Sequence, residues 1–299
     1  MREDITLLMP VLNGQAHLWA QLQSLARQSH LPTRLIVSDD GSEDDSLEIL
    51  HRFARMAPFH VTVQRGPGRG YAQNIHCLLR AAPKGIIGFC DQDDVWLPDR
   101  IAQGRHALER LAHPALHVTG RIVTDPGLRR RKQLAHHPRP GFANALVQNI
   151  APANATMLSS RATELVRLAL PPADLMPPFP DWWIYALTTG AAGAVLCQDG
   201  ASVLYRQHGA NTLGAAHGTA ARLRRLRYLL GGRYGMWLRA QTQALWRARD
   251  LLDPEAQALL QRFSVGLYQG GWHPEALGIR RQSRAQQAAL CTAARLRLL

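Results

Sequence analysis

The stretch Gly85-Ile86-Ile87-Gly88-Phe89-Cys90-Asp91-Gln92-Asp93-Asp94-Val95-Trp96-Leu97-Pro98 joins an apolar run directly to a carboxylate cluster. A run of four to eight apolar residues bounded by glycine and a turn reads as a buried strand. Asp91, Asp93 and Asp94 follow it at once, so the strand delivers negative charge to one edge of a sheet. Three like charges so close together are unfavourable unless a cation neutralises them. Oxygen-only donors suit hard divalent ions such as Mg2+ or Mn2+, which bridge carboxylate to phosphate. A solvated acidic loop that caps the next helix, starting near Pro98, is the plainer alternative.

Working outward, strand-like and helix-like segments alternate through the first 120 residues. Ile5–Met9 reads as a strand stopped by Pro10 and the Asn13-Gly14 turn, and Leu18, Leu22 and Leu25 then recur at helical spacing. Arg34–Ser38 is a second strand with the turn Asp39-Asp40-Gly41-Ser42 after it, followed by Leu47, Leu50 and Phe53. Phe59–Val63 alternates as a third strand, and Arg65–Gly70 leads into a helix over Tyr71–Ala81. Gly85–Phe89 is the fourth strand and Pro98–Leu111 another helix. This order predicts an α/β fold with a mostly parallel, doubly wound sheet. Ligands of such sheets sit outside the carboxyl ends of the strands, where Pro10–Asn13, Asp39–Ser42 and Asp91–Asp94 all fall.

Leu116–Thr119, Ala155–Ser159, Ala194–Cys197 and Ala201–Tyr205 read as further strands, and an Arg-, His- and Pro-rich loop runs to Pro140. After Gly218 the pattern turns helical, which predicts a main domain over 1–217 and a helical appendage over 218–299. Beyond Ala220 there are fourteen Arg against Asp250, Asp253, Glu255 and Glu275, so +10 of the net +13 charge lies there. Such clustering fits nucleic acid, an anionic membrane surface or an anionic polymer. An amphipathic Leu–Arg helix also serves dimerisation. Three acidic turns on the sheet rim would repel a phosphate backbone, and no nucleic-acid-binding signature occurs, so nucleic acid is not the expected partner. Cys77, Cys90, Cys197 and Cys291 are scattered without a C-x-x-C pair. No run approaches the roughly 20 apolar residues of a membrane span, and Met1–Asp4 lacks a signal-peptide pattern. These features point to a reducing cytoplasm.

The ordered segments MPVLNG (9–14), SDDGSEDDSLEIL (38–50), GRGYAQN (68–74), FCDQDDVWLPDRI (89–101), PDWWIYAL (180–187) and LYRQHGANTLGA (204–215) together resemble a family 2 glycosyltransferase of the GT-A fold. The resemblance is to the bacterial rhamnosyltransferase-like branch and covers residues 5 to about 215. It implies an inverting, metal-dependent transfer of a sugar, rhamnose favoured, from a dTDP- or UDP-sugar. The implied acceptor is a bacterial cell-surface glycan, lipid-linked at the inner face of the membrane.

The same resemblance implies roles for individual residues. Pro10, Leu12 and Asn13 stack against the base, with Leu12 where the family usually has an aromatic. Asp40 accepts from the pyrimidine N–H, a task for which an acceptor-only group is suited. Gly70, Tyr71 and Asn74 lie beside the nucleoside, with Gly68 where the family often has Asn. Asp91 contacts ribose, Asp93 ligates the Mg2+ or Mn2+, His208 reaches that metal or the donor diphosphate, and Asp94 caps or braces the loop. Asp181 is the general base, its alternative being a helix N-cap after Pro180. Of Trp182 and Trp183, one is expected at the sugar site and one in the core. Asn154 stands where a glycine is expected near the acceptor site. The competing readings are an inactive scaffold of the same fold that binds partners and, among enzymes, a nucleotidyltransferase.

Overall fold

The computed structural model describes residues 3–129, 131–133, 138–208, 231–270 and 272–299. Strands β1 (Ile5–Val11), β2 (Arg34–Asp39), β3 (His60–Arg65) and β4 (Ile86–Phe89) alternate with helices α1 (Gln15–Ala26), α2 (Ser46–Ala54) and α3 (Tyr71–Ala81). Then come β5 (Val95–Trp96), α4 (Arg100–Leu108), β6 (Ala115–Thr124), β7 (Arg131–Gln133) and α5 (Phe142–Ala145). β8 (Thr156–Leu158), α6 (Ser160–Ala169), α7 (Pro180–Gly190) and β9 (Ala194–Arg206) follow. Helices α8 (Arg233–Arg247), α9 (Pro254–Gln269) and α10 (Arg284–Arg295) close the chain. The predicted boundary at 217/218 and the end of the LYRQHGANTLGA segment lie outside the described residues.

The sheet order is β3-β2-β1-β4-β8-β6-β9-β5, with β7 paired to β6. β3, β2, β1 and β4 pair in parallel, as do β6 and β9, while β8 is antiparallel to both β4 and β6. The chain winds outward from β1 to β3 and then returns to the other side of β1 as β4. That reversal opens a crevice beyond the ends of β1 and β4, the place where such sheets bind ligands.

Period-two alternation along β1 sorts its side chains onto two faces. Ile5, Leu7, Met9 and Val11 pack with Leu18, Leu22, Leu25 and Leu50 beneath α1 and α2, whereas Leu8 joins the opposite core with Leu78 and Leu79 of α3. That second core also takes in Trp182, Trp183 and Tyr185 of α7 together with Leu238, Leu245, Leu260, Phe263 and Leu290 of the last three helices. Gln241 Nε2 donates to the Trp182 carbonyl (3.1 Å), and the Tyr234 hydroxyl donates to that of Val147 (2.5 Å).

Four details differ from the sequence reading. β1 does not stop at Pro10 but continues to Val11. Its pairing with β4 ends at Leu8 opposite Phe89, so beyond that point β1 is bonded on one side only and tolerates a residue without an N–H. Ala194–Arg206 is one strand rather than two, because register shifts around Gly120 absorb the Asp199-Gly200 bend against β6. A Cβ at Gly120 would sit 2.4 Å from the Gly200 carbonyl oxygen, which explains glycine there. The basic loop after β6 contains β7. Finally, Trp182 and Trp183 are both buried, and Trp182 Nε1 donates to the Ala145 carbonyl (2.6 Å). Neither lines the rim: Trp182 stacks on Tyr234 of α8, the ring centres 6.4 Å apart, and Trp183 is fully enclosed in the core.

Candidate active site

The acidic loop is fixed from beneath. Asp94 is fully buried and accepts from Asn154 Nδ2 (2.5 Å) and the Arg206 backbone N–H (3.2 Å). Arg206 Nε donates to the Asp93 carbonyl (2.8 Å), and its NH1 donates to that of Pro126. Both Asp94 oxygens are thus engaged in holding the loop. Burial drives the Asp94 carboxyl well up, and Asp91 and Asp93 reinforce the rise.

Asp91 and Asp93 face the crevice. One carboxylate oxygen each from Asp91, Asp93 and Asp94 lie within 4.8 Å of one another. Asp91 is half-buried, and its carboxyl is pushed up to about 7, first by desolvation and then by the Asp93 and Asp181 carboxylates, with Arg121 opposing. Arg121 also stacks over the Tyr205 ring, 5.0 Å from its centre. On the far side, His208 Nε2 lies 2.7 Å from Asp93 Oδ2. Crowded hard oxygens that repel one another, with an imidazole beside them, form a donor set that fits Mn2+ or Mg2+.

Asp181 lies in the first turn of α7, but Phe179 occupies the N-cap, so capping is not its task. Its Oδ2 accepts from Asn149 Nδ2 (2.8 Å) and the Ala153 N–H (3.1 Å), and Oδ1 accepts from the Trp182 N–H (2.9 Å). These bonds favour the carboxylate, yet burial outweighs them and the Asp181 carboxyl is raised. A carboxylate held by three donors and raised by burial is oriented and has the chemistry to accept a proton.

The two aspartates of the second turn divide the work there. Asp39 accepts from the Gly41 and Ser42 N–H groups (3.2 and 3.0 Å) and from the Ser42 hydroxyl (2.5 Å), forming the turn itself. Asp40 instead accepts from the Gly68 and Gly70 N–H groups, each at 2.8 Å, one per oxygen. Gly70 has φ +89°, which only glycine adopts readily, and it turns the chain into α3. Asn74 is buried behind this loop and donates to the Ser38 carbonyl (2.9 Å).

Pro10 is buried at the end of β1, and Leu12 is 47% exposed at the rim. The Gln92 amide binds both main-chain groups of Leu12, accepting from its N–H and donating to its carbonyl at 2.9 Å each. This two-point clamp ties the acidic loop to the end of β1. Asn13 has φ +49°, and its Oδ1 accepts from the Glu43 N–H (2.9 Å).

Asp91, Asp93, Asp181 and His208 therefore gather around the crevice with Tyr71 nearby, while Asp40, Asn74 and Gly70 build the neighbouring glycine loop. Sequence reasoning missed Gln92, Asn149, Arg206 and His17. The first sits inside the acidic motif and Arg206 inside the Y-R-Q-H-G segment, so both were visible but unassigned. His17 lies in the first turn of α1, where the apolar stripe gives no hint of it. Its ring centre is 5.2 Å from that of His208 with the planes tilted by 44°. Burial lowers its pKa, helped by Arg206 and His208 and opposed by Asp93.

The profile described as Glycosyl transferase family 2 matches residues 6–161, which contain β1 to β4 and the acidic loop. The chain belongs to glycosyl transferase family 2. Among curated relatives of this family, the chain is 24% identical over 107 residues to the Escherichia coli UDP-Glc:alpha-D-GlcNAc-diphosphoundecaprenol beta-1,3-glucosyltransferase WfaP, covering 36% of this chain and 42% of that one. It is 27% identical over 140 residues to the putative glycosyltransferase EpsE of Bacillus subtilis (46% and 50% covered). With the dTDP-rhamnosyl transferase RfbG of Shigella flexneri it shares 29% identity over 98 residues (31% and 34% covered). The alignments thus span half or less of these relatives' lengths. Solved structures extend the likeness of fold over nearly the whole chain. Staphylococcus aureus TarS 1–349 in complex with UDP-GlcNAc superposes with a TM-score of 0.55 at 16% identity (92% and 88% covered). The Pyrobaculum calidifontis mannosyltransferase PcManGT with GDP-Man and Mn2+ gives 0.53 at 18% (99% and 88% covered). The fold is GT-A.

Proposed function

We propose that the protein is an inverting glycosyltransferase that moves a sugar from a nucleotide diphosphate to a glycan hydroxyl. The observation that carries this reading is the placement of Asp181, raised by burial and held by three donors, opposite the Asp91–Asp93–His208 group at the switch point of the sheet. The nucleoside lies along the end of β1 and the Gly66–Gly70 loop, with Asp40 holding that loop and Asp91 at the ribose. Asp93 and His208, with Asp91 beside them, would hold a divalent ion. When bound, that ion offsets charge on the departing diphosphate.

Asp181 accepts the proton of the acceptor hydroxyl as its oxygen bonds to the anomeric carbon and the carbon–diphosphate oxygen bond breaks. A single displacement of this kind inverts the anomeric centre. Asn149 and the Ala153 N–H keep the base aimed, and the buried Asp94 keeps the acidic loop from shifting as charge builds.

The finer assignments rest on likeness. A relative that transfers dTDP-rhamnose favours rhamnose, and one that acts on a diphosphoundecaprenol-linked sugar favours a lipid-linked surface glycan as acceptor. Among the described residues no helix is long and apolar enough to cross a membrane. The Arg-rich C-terminal region would then meet anionic lipid or the acceptor's phosphates at the inner membrane face, or a second subunit. Thermal unfolding with UDP and with dTDP, each with and without Mn2+, tests the donor site. Stabilisation that needs nucleotide and metal together, and is lost in Asp93→Ala, is expected. No response to either diphosphate by folded protein would sink the reading.

A further inference from the structure

We infer that His17 is a second imidazole donor to the divalent ion, beside His208. The inference rests on the donor-site reading above and extends it to a residue of α1 that neither the sequence motifs nor the family resemblance mark.

With a metal–nitrogen bond of about 2.1 Å, an imidazole ring centre lies about 3.2 Å from the ion, so two ligating rings at 90–110° have centres about 4.5–5.3 Å apart. The observed separation of His17 and His208 is 5.2 Å. His208 already touches Asp93 at 2.7 Å, so the ring pair stands beside the carboxylate. The planes are tilted by 44°, not stacked face to face. His17 is half-buried at the rim end of α1, where the neighbouring Leu18 turns inward to the core. Among the described residues the three carboxylates form the group whose donor atoms lie within 4.8 Å of one another, and the nitrogens of His17 and His208 stand outside it. His17 joins by turning its ring about the Cβ–Cγ bond, which leaves the ring centre nearly where it is.

The consequence is selectivity. Two imidazoles and a carboxylate suit Mn2+, Co2+ and later ions better than Mg2+, which prefers oxygen throughout. A ring of packing value only would not change the choice of ion.

The test is pulsed electron paramagnetic resonance of the Mn2+ complex formed with UDP, counting coupled imidazole nitrogens. Two are expected in the wild type and one in His17→Phe, which keeps a ring against His208 but has no nitrogen. By calorimetry in the presence of UDP, Mn2+ affinity should fall at least about tenfold in that variant, the scale on which even partners that orient a ligand act. Mg2+ affinity should change little. One nitrogen in the wild type, or two remaining in His17→Phe, would overturn the inference while leaving the donor site standing. Failure of the wild type to bind Mn2+ with UDP would overturn both.

Discussion

Replacing Asp93 by Asn should stabilise the metal-free protein while destroying the site. The basis is the crowding of Asp91, Asp93 and Asp94 within 4.8 Å. Two unit charges at that distance repel by about 0.9 kcal/mol in water and about 3.5 kcal/mol at an effective dielectric of 20. The Asp91 carboxyl, pushed from an ordinary 3.8 to about 7, reports the same strain. Desolvation is its largest cause and survives the substitution, so only part of the rise is relieved. The amide introduced by Asp93→Asn still accepts from His208, though more weakly, which costs about 1 kcal/mol of the gain. The net expectation is roughly 1 kcal/mol, or about 2 °C in Tm for a chain of this size.

The pH dependence fixes the cause. Asp91 holds its proton more tightly folded than unfolded, so raising the pH from about 4 through about 7 draws a proton from the folded protein and destabilises it. The advantage of the Asp93→Asn protein should therefore be present at pH 8 and vanish at pH 5. Urea unfolding in EDTA at the two pH values measures it. Addition of Mn2+ and UDP at a hundred times their dissociation constant should then stabilise only the wild type, by about 2.7 kcal/mol, and reverse the order. An Asp93→Asn protein less stable than wild type in EDTA at pH 8, or an advantage equal at both pH values, would refute the repulsion argument.

Further outcomes follow from other contacts. Asp181→Asn should lower kcat by about 10²–10⁴-fold with nucleotide-driven stabilisation intact, and a kcat within a factor of ten of wild type would remove Asp181 as the base. Gly14→Ala puts a Cβ 2.7 Å from Gln92 Oε1, so the flexible amide must leave Leu12. Steady-state kinetics should show a raised KM for the donor, and unfolding should show a stability loss under about 1 kcal/mol. His117, buried between Arg100 and Gln198, has its pKa pushed down to about 4, mainly by burial and then by Arg100. The unfolded chain takes up that proton first, so stability should fall by about 3 kcal/mol as pH drops from about 6.5 to about 4. Asp91 acts in the opposite sense over this window, so the quantity to measure is wild type minus His117→Gln; no difference in slope would refute it.

What the sequence made legible follows the reach of local patterns. The apolar runs of Ile5–Met9 and before Asp91, and the alternation in Phe59–Val63, identify strands because side-chain period and burial are local properties. The carboxylates at the strand ends mark the rim because strand ends of a parallel sheet share one edge. The partners of polar groups are another matter. Gln92 clamps Leu12 from 80 positions away, and Asn154 meets Asp94 across 60. A residue type states what it can bond, not what the fold brings to it. The pairing of Asp40 with Gly68 and Gly70 was hidden for the same reason, although each element was marked. Trp182 and Trp183 misled because aromatic side chains serve cores and sugar sites alike, and the docking of α8 on Trp182 is what decides between them.

That docking bears on how such a protein can be recombined. Helix α7 carries Asp181 at one end and packs on α8, whose Tyr234 stacks on Trp182 and whose Gln241 binds the Trp182 carbonyl, so α8 bears directly on the helix that holds the base. A shortened chain ending near residue 217 would strip Trp182 of the Tyr234 ring and of the Gln241 bond to its carbonyl. A chimera meant to exchange the tail for that of a relative should be joined ahead of Pro180. The foreign tail would then arrive with the helix it grew against, and with its own aspartate.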